Sequence, residues 1–520
     1  MMSDVRRAAA LAFLVLAGAC SSAPPDPGSD AGANIVLVSA ADSPETIVAK
    51  AARVVPSSRQ LAWQKREFIA FAHFGMNTFT DREWGEGTED PALFNPSAFD
   101  ARQWARVVKA AGMRMIIVTA KHHDGFCLWP SRHTDHSVRS SPWRGGRGDV
   151  VGEVSAACRE AGLAFGVYLS PWDRHEPTFG DSPRYNEYFR AQLRELLTQY
   201  GPVAEVWFDG ANGEGPNGRR QEYDWPSTYA LIRELQPEAV VAIMGPDIRW
   251  VGTESGYGRE TEWSVVPANL RAEPAVGPDG GLSQEFFDRA FAPTDMTKPD
   301  LGGRERLGGA RALFWYPAET DVSIRPGWFY HSAEDGRVKT PEKLVDIYFS
   351  SVGRNGVLLL NIPPDRRGLI HEADAEALLG LNRILESTFA VNLAAGAGVR
   401  ASSERTGHPA SAIVDSDPET HWAAAEGETA AEVVFDLAAE ATFDRALLQE
   451  EVRTGQRLEA FSLQAWDGAD WKPFAEGTTV GYKRLLRFPP VSARRVRLVI
   501  RESRLNPTLA AFGLYLSPKE

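Results

Sequence analysis

Three groups of residues in this 520-residue chain combine types and spacings that do chemistry. Asp209 ends the apolar run Ala204-Glu-Val-Trp-Phe-Asp209, is followed by Gly210, and shares a strand face with Trp207. A carboxylate presented this way is a candidate nucleophile. A second acidic stretch is Arg249-Trp-Val-Gly-Thr-Glu254-Ser-Gly-Tyr-Gly-Arg-Glu260-Thr-Glu262-Trp263. Cleavage of a glycosidic bond by displacement needs two carboxyl groups: one attacks, and one protonates the leaving oxygen and then activates water. Spacing does not choose among Glu254, Glu260 and Glu262. Glu254 lies between Gly252 and Gly256 in an aromatic-flanked loop, where desolvation would raise its pKa. Glu260 and Glu262 are also placed to pair with Arg249 or Arg259. The third group is His73 together with Lys121-His122-His123-Asp124, whose neutral imidazoles both donate and accept hydrogen bonds.

These groups need a scaffold that brings them together. Apolar runs at 68–73, 115–121, 164–170, 204–209 and 240–245 alternate with helical patterns at 101–111, 150–161 and 185–200. The alternation predicts a parallel sheet buried on both faces, in a (β/α)8-like, TIM-type barrel. In such a barrel chemistry sits at the C-terminal strand ends. Those ends carry His73, then His122 and His123, then Tyr168 with Trp172, then Trp207 and Asp209. Four strands delivering polar and aromatic residues at one end point to one pocket. Beyond Gly245 the strand signals weaken.

After Asn392 the periodicity changes to short alternating stretches separated by Gly, Asp and Pro turns, as in an all-β sandwich. The loop Asp415-Ser-Asp-Pro-Glu-Thr-His-Trp422 resembles one found in discoidin-like, galactose-binding-like sandwiches, which bind sugars or brace a catalytic domain; bracing is favoured here. At the other end, Arg6 and Arg7 precede a short apolar stretch, and Ala17-Gly18-Ala19-Cys20 resembles a bacterial lipoprotein processing site. The expected organisation is a lipoprotein-type signal peptide at 1–20, a linker at 21–50, the barrel at 51–391 and the sandwich at 392–520. Export follows from this, to the periplasm or to an outer-membrane anchor through a lipidated Cys20. A formal net charge of −13 speaks against nucleic-acid partners. Cys127 and Cys158 are expected as buried free thiols.

Three segments carry a family resemblance. Phe71-Ala-His73-Phe-Gly-Met-Asn-Thr-Phe-Thr-Asp-Arg-Glu83-Trp84-Gly, Lys121-His-His-Asp-Gly-Phe126-Cys-Leu-Trp129-Pro and Val206-Trp-Phe-Asp209-Gly resemble the α-L-fucosidases of glycoside hydrolase family 29. The 77–84 segment and Trp315-Tyr-Pro-Ala-Glu-Thr-Asp-Val-Ser-Ile-Arg325-Pro-Gly-Trp-Phe-Tyr330 are similar to the branch acting on α-1,3/1,4-linked fucose. The resemblance implies a retaining double displacement without metal or other cofactor, Asp209 as nucleophile and Glu254 as acid/base. It implies that His73, His122, His123, Tyr168 and Trp207 line a fucose pocket, that Glu83 and Trp84 lie on a loop closing over the sugar, and that Trp315 sits near the sugar's methyl group. Two rival readings stand beside it. A metal hydrolase normally places two histidines two apart on a strand, whereas His122 and His123 are adjacent. A non-catalytic, surface-anchored glycan-binding lipoprotein would have no use for Asp209 and the nearby glutamates.

Overall fold

The computed structural model describes residues 32–271, 283–292 and 296–518. Eight strands, labelled here β1 to β8, form the barrel: β1 Phe68–Ala72, β2 Met115–Lys121, β3 Ala164–Leu169, β4 Glu205–Phe208, β5 Val240–Ile243, β6 Arg249–Trp250, β7 Ala318–Ser323 and β8 Gly356–Asn361. All neighbouring pairs are parallel, in the order β5-β4-β3-β2-β1-β8-β7-β6. A parallel bridge between Ala242 and Ile248 closes the ring between β5 and β6. The TIM-type barrel read from the sequence is therefore present.

Helices α1 Ala101–Ala110, α2 Val150–Ala161, α3 Ser182–Gln199 and α4 Trp225–Leu235 follow β2's predecessor loop, β2, β3 and β4 in turn. An aspartate precedes each of them, and three of the four aspartates cap the first turn. Asp100 accepts from Arg102 N and Gln103 N, Asp149 from Gly152 N and Asp224 from Ser227 N, which satisfies amides that the first helical turn leaves open. Their buried faces pack outside the strands. The period-two alternation of each strand sends the other residues inward, where Ile69, Phe71, Met115, Ile117, Tyr168 and Trp207 fill the barrel. Gly166 stands where Ile117 and the Glu205 carbonyl crowd the axis: a Cβ there would lie 2.9 Å from the Ile117 side chain.

Carboxyl groups hold indole rings in several places. Trp63 Nε1 donates to Glu205 Oε2 at 2.8 Å, Trp129 Nε1 to Glu195 Oε2 at 2.8 Å, and Trp207 Nε1 to Glu319 Oε1 at 2.6 Å. Glu205 and Glu319 face each other across the barrel interior. Burial pushes the Glu205 carboxyl up to about 7 and that of Glu319 well above its ordinary value, so the pair holds a proton at neutral pH.

One sequence expectation is corrected. The linker at 21–50 is not one throughout, because a short strand, Ile35–Leu37, pairs with Ala312–Trp315, and the helix Pro44–Ala51, capped by Ser43, packs Ile47 and Val48 inward. These apolar groups are brief and lie in a Ser/Ala/Asp-rich background, so they carry no periodicity. The signal peptide and Cys20 lie outside the described residues.

The C-terminal part is all-β. Its six-stranded sheet is antiparallel, and the long strands Ala431–Gln449 and Arg484–Ser503 bend at register breaks near Asp436/Ala441 and Phe443/Arg445. The sandwich grips the barrel beside the acidic loop. Thr479 Oγ1 accepts from Glu262 N at 3.0 Å, Gln456 Oε1 from Ser264 N at 2.7 Å, and Gln456 Nε2 donates to Glu262 O at 2.9 Å. The buried Arg504 guanidinium stacks 3.3 Å from the Trp263 ring centroid and donates to Gly302 O at 2.6 Å. Cys127 and Cys158 are free and buried, and burial pushes the Cys158 thiol up to about 12.

Candidate active site

A cavity of about 170 Å³ opens at the C-terminal end of the barrel strands. Its walls include His73, Glu83, Trp84, His122, His123, Trp207, Asp209 and Glu254, together with Phe71, Asp321 and Trp328. Larger grooves exist, such as one of about 1010 Å³ beside Phe349 and Arg487, but they do not gather carboxyl and imidazole groups in this way.

Period-two alternation delivers the walls. Along β1 the inward series is Ile69, Phe71 and, one step past the strand, His73; along β4 it is Glu205, Trp207 and Asp209. Strand β2 needs a further device. Its register against β3 breaks between Thr119 and Lys121. The break turns Lys121 outward, where its Nζ meets Asp173 Oδ2 at 2.8 Å and Gln192 Oε1 at 3.0 Å, and brings both following histidines to the mouth.

Asp209 accepts from Tyr168 Oη at 3.1 Å and from Ala211 N at 2.7 Å, and His123 Nε2 stands 3.8 Å from Oδ2. The buried Tyr168 phenol is pushed well above its ordinary value by desolvation and the Asp209 charge, so it remains a donor. Asp209 thus faces the cavity as a hydrogen-bonded, partly exposed acceptor.

The three imidazoles are neutral and their tautomers follow from their partners. His73 Nδ1 lies 2.9 Å from Asn361 Oδ1, and Asn361 Nδ2 donates to Trp328 O at 2.7 Å, so His73 carries its proton on Nδ1 and presents Nε2 as an acceptor. Ser170 Oγ donates to Trp172 O, which leaves it to accept from His123 Nδ1 at 2.7 Å; His123 Nε2 is again an acceptor. Asn77 Nδ2 donates to Glu83 O at 3.0 Å and reaches His122 Nδ1 at 3.4 Å, so His122 turns Nε2–H into the pocket as a donor. Desolvation lowers all three, His73 to about 3. The pocket therefore offers complementary hydrogen bonds to hydroxyl groups without a fixed positive charge.

Glu254 alone of the three candidate glutamates lines the cavity. Glu262 is buried against Arg249 and Arg259, while Glu260 pairs with Arg354 and with Arg484 at 3.2 Å. The enclosure expected around Glu254 is not found. Gly252 and Gly256 hold left-handed φ values of 102° and 78° and press against the Met296 carbonyl and the Val322 side chain, which turns Glu254 outward to an exposed rim. There Trp328 Nε1 donates to Glu254 Oε2 at 3.2 Å.

Trp84 is 56% exposed at the mouth, edge-on to His123 and Trp172. Its loop is pinned from below, where His175 Nδ1 lies 2.7 Å from Gly87 O. Glu83 does more than border the cavity: its carboxylate accepts from Trp328 N at 2.8 Å, Phe329 N at 3.2 Å and His331 Nε2 at 2.7 Å.

Trp315 is corrected. It lies in the strand Ala312–Trp315, antiparallel to Ile35–Leu37 and just before β7, at the opposite end of the barrel from the cavity. It is fully buried, and its indole donates to Gln64 Oε1 at 3.0 Å. The aromatic wall is supplied instead by Trp328, thirteen residues on. Trp328 and Asp321 were missed as site residues. Asp321 was legible in principle, because Glu319, Asp321 and Ser323 alternate on one strand face.

Among the described residues no group of three or more His, Cys, Asp and Glu side chains could hold a metal ion. The adjacent histidines spend their Nδ1 atoms on Asn77 and Ser170.

The sequence and fold are similar to those of known proteins. The family model "Alpha-L-fucosidase" matches residues 50–263 and 287–388, and the model "F5/8 type C domain" matches 398–512. Alpha-L-fucosidase 1 of Arabidopsis thaliana is 41% identical over 470 residues, covering 89% of this chain and 87% of its own. A Ruminococcus gnavus GH29 fucosidase solved in complex with fucose is similar at 32% identity and a TM-score of 0.77, covering 90% of this chain and 95% of its own. The structure of SpGH29 matches at 40% identity and a TM-score of 0.77, over 89% and 98%. The chain belongs to the α-L-fucosidase family, glycoside hydrolase family 29.

Proposed function

We propose that this α-L-fucosidase is a retaining, exo-acting enzyme that removes terminal fucose, α-1,3/1,4-linked on branched, Lewis-type glycans, through a covalent fucosyl-enzyme. The observation that carries this reading is the placement of Asp209 and Glu254 on one cavity of about 170 Å³. That space suits one deoxyhexose ring rather than an internal stretch of chain. Asp209 attacks the anomeric carbon as the glycosidic C–O bond breaks, and Glu254 gives its proton to the departing oxygen. Glu254 then takes a proton from water, whose oxygen attacks the same carbon and releases Asp209 and L-fucose with the original anomeric configuration. His73 and His123 accept from ring hydroxyls, His122 donates, and Phe71, Trp207 and Trp328 cover the apolar face and methyl group. The exposed Trp84 ring at the mouth offers a stacking surface to the sugar beyond fucose, which supports the branched-glycan preference.

We further propose export as a lipoprotein anchored through Cys20, to the periplasm or outer membrane; metabolic labelling with an alkyne fatty acid should tag the wild type and not Cys20→Ser.

A linkage panel tests the substrate reading. Fucose release should be fastest from α-1,3/1,4-branched oligosaccharides and slow from α-1,2-linked ones. The reverse order would overturn the linkage preference.

A further inference from the structure

Asp321 is a carboxyl group of the cavity to which the double displacement gives no task, and unlike Glu83 it is not spent on backbone amides of the Trp328 loop. It sits on β7 between Glu319 and Ser323 on the inward face, is 4% exposed, and lines the same space as Asp209 and Glu254. One oxygen is fixed: Trp250 Nε1 donates to Asp321 Oδ1 at 2.7 Å. Trp250 is the one side chain among the described residues that donates to Asp321. The ring hydroxyls of a bound sugar give their protons to His73, His123 and Asp209, and their oxygens then need donors. His122 is one, and the pocket requires others.

We propose that Asp321 is a third working carboxyl of the site, which binds the deoxyhexose directly by donating a hydrogen bond from Oδ2 to a sugar oxygen. The proposal rests on the fucose-pocket reading above and assigns the missing donor within it. It also requires Asp321 to be the un-ionised acid. The surroundings enforce this. Facing it are Glu319 from its own strand, Asp209 from β4, Glu254 from the β6 loop and Glu83 from the β1 loop, with neutral imidazoles at His73, His122 and His123. Among the described residues no Lys or Arg lines the cavity. Burial, with the Glu254 and Asp209 charges added, pushes the Asp321 carboxyl up to about 8.

The test is L-fucose binding to the full chain by titration calorimetry, for wild type, Asp321→Asn and Asp321→Ala, between about pH 6 and about pH 9. Wild-type affinity should hold to about pH 8 and then fall by up to about tenfold per pH unit as the donor proton is lost. In Asp321→Asn the Trp250 bond fixes the amide oxygen, so Nδ2 donates in place of the acid. That variant should stay within about threefold of wild type at neutral pH and lose the alkaline decline, while Asp321→Ala should bind about tenfold more weakly. Asp321→Ala binding like wild type, or Asp321→Asn declining in parallel with wild type, would overturn the proposal. If Asp321→Ala does not fold, the wild-type and Asn pH series decides alone. Absence of any fucose binding to wild type would overturn the pocket reading itself, and this inference with it.

Discussion

Trp328 joins two loops of the active site: its indole nitrogen donates to Glu254 Oε2 at 3.2 Å and its backbone nitrogen to Glu83 Oε2 at 2.8 Å. An exposed glutamate is thereby held to a wall of the pocket. Trp328→Phe keeps the ring and removes the indole donor. Turnover of an oligosaccharide should fall about tenfold, with an activated aryl fucoside changing by less than about threefold, because only the first depends on protonation of the leaving group. Equal losses on both would assign Trp328 to sugar binding alone.

The three glutamates of the β6 loop should separate cleanly. Glu254→Ala should fold normally, lose about a hundredfold or more on poor leaving groups, and regain turnover on aryl fucosides with azide. Glu262→Ala should instead destabilise the chain by about 3–5 kcal/mol, because it strands the buried Arg249 guanidinium. Chemical denaturation and leaving-group series on both variants check the assignment. Azide rescue of Glu262→Ala, and none of Glu254→Ala, would reverse it.

The barrel was legible in the sequence where its strands are apolar and long. The segment 115–121 was read with the bounds that β2 has, and helix 150–161 with those of α2. The signal failed after Gly245 for two physical reasons. Strand β6 is two residues long, and β7 reads Ala-Glu-Thr-Asp-Val-Ser because its inward face holds the carboxyl groups that fix Trp207 and Trp250. Asp209 and the histidines were visible from their positions at strand ends. Trp328 was not, since its reach depends on a loop that Glu83 gathers from a distant part of the chain, and Trp315 was misplaced because nothing in its apolar surroundings says which end of the barrel it occupies.

Stability should peak at mildly acidic pH. His73 is held neutral down to about 3, so the unfolded chain binds the extra proton below about pH 6.5, and stability is lost as pH falls from there. Glu205, Asp124 and Glu450 are raised to about 7 and Asp321 to about 8; folded, they keep protons that the unfolded chain releases, so stability also falls as pH rises from about 4 through 7 to 8. Denaturant midpoints should be highest near about pH 5–6, where these opposed sets balance. A midpoint rising steadily to pH 9 would contradict the buried-acid half; one rising steadily to pH 4, the histidine half.

The sandwich should brace the barrel without taking part in chemistry. Gln456 is fully buried and serves Glu262 O and Ser264 N; Asn355 Nδ2 also donates to Glu262 O, so Gln456→Ala leaves the buried Ser264 N–H unpaired, at a cost of about 1–3 kcal/mol. Thermal melting should drop by several degrees while kcat on an aryl fucoside changes by less than about twofold. A large fall in kcat with unchanged melting would give the sandwich a catalytic role instead.

The central claim, that Asp209 forms the covalent intermediate, is tested by trapping. A fluorinated fucosyl fluoride should fucosylate the intact enzyme once as fluoride leaves, and peptide mapping should place the added mass on Asp209, with Asp209→Ala folded, inactive and unlabelled. A label on another carboxylate, or release of L-fucose with inverted anomeric configuration by NMR, would contradict the account.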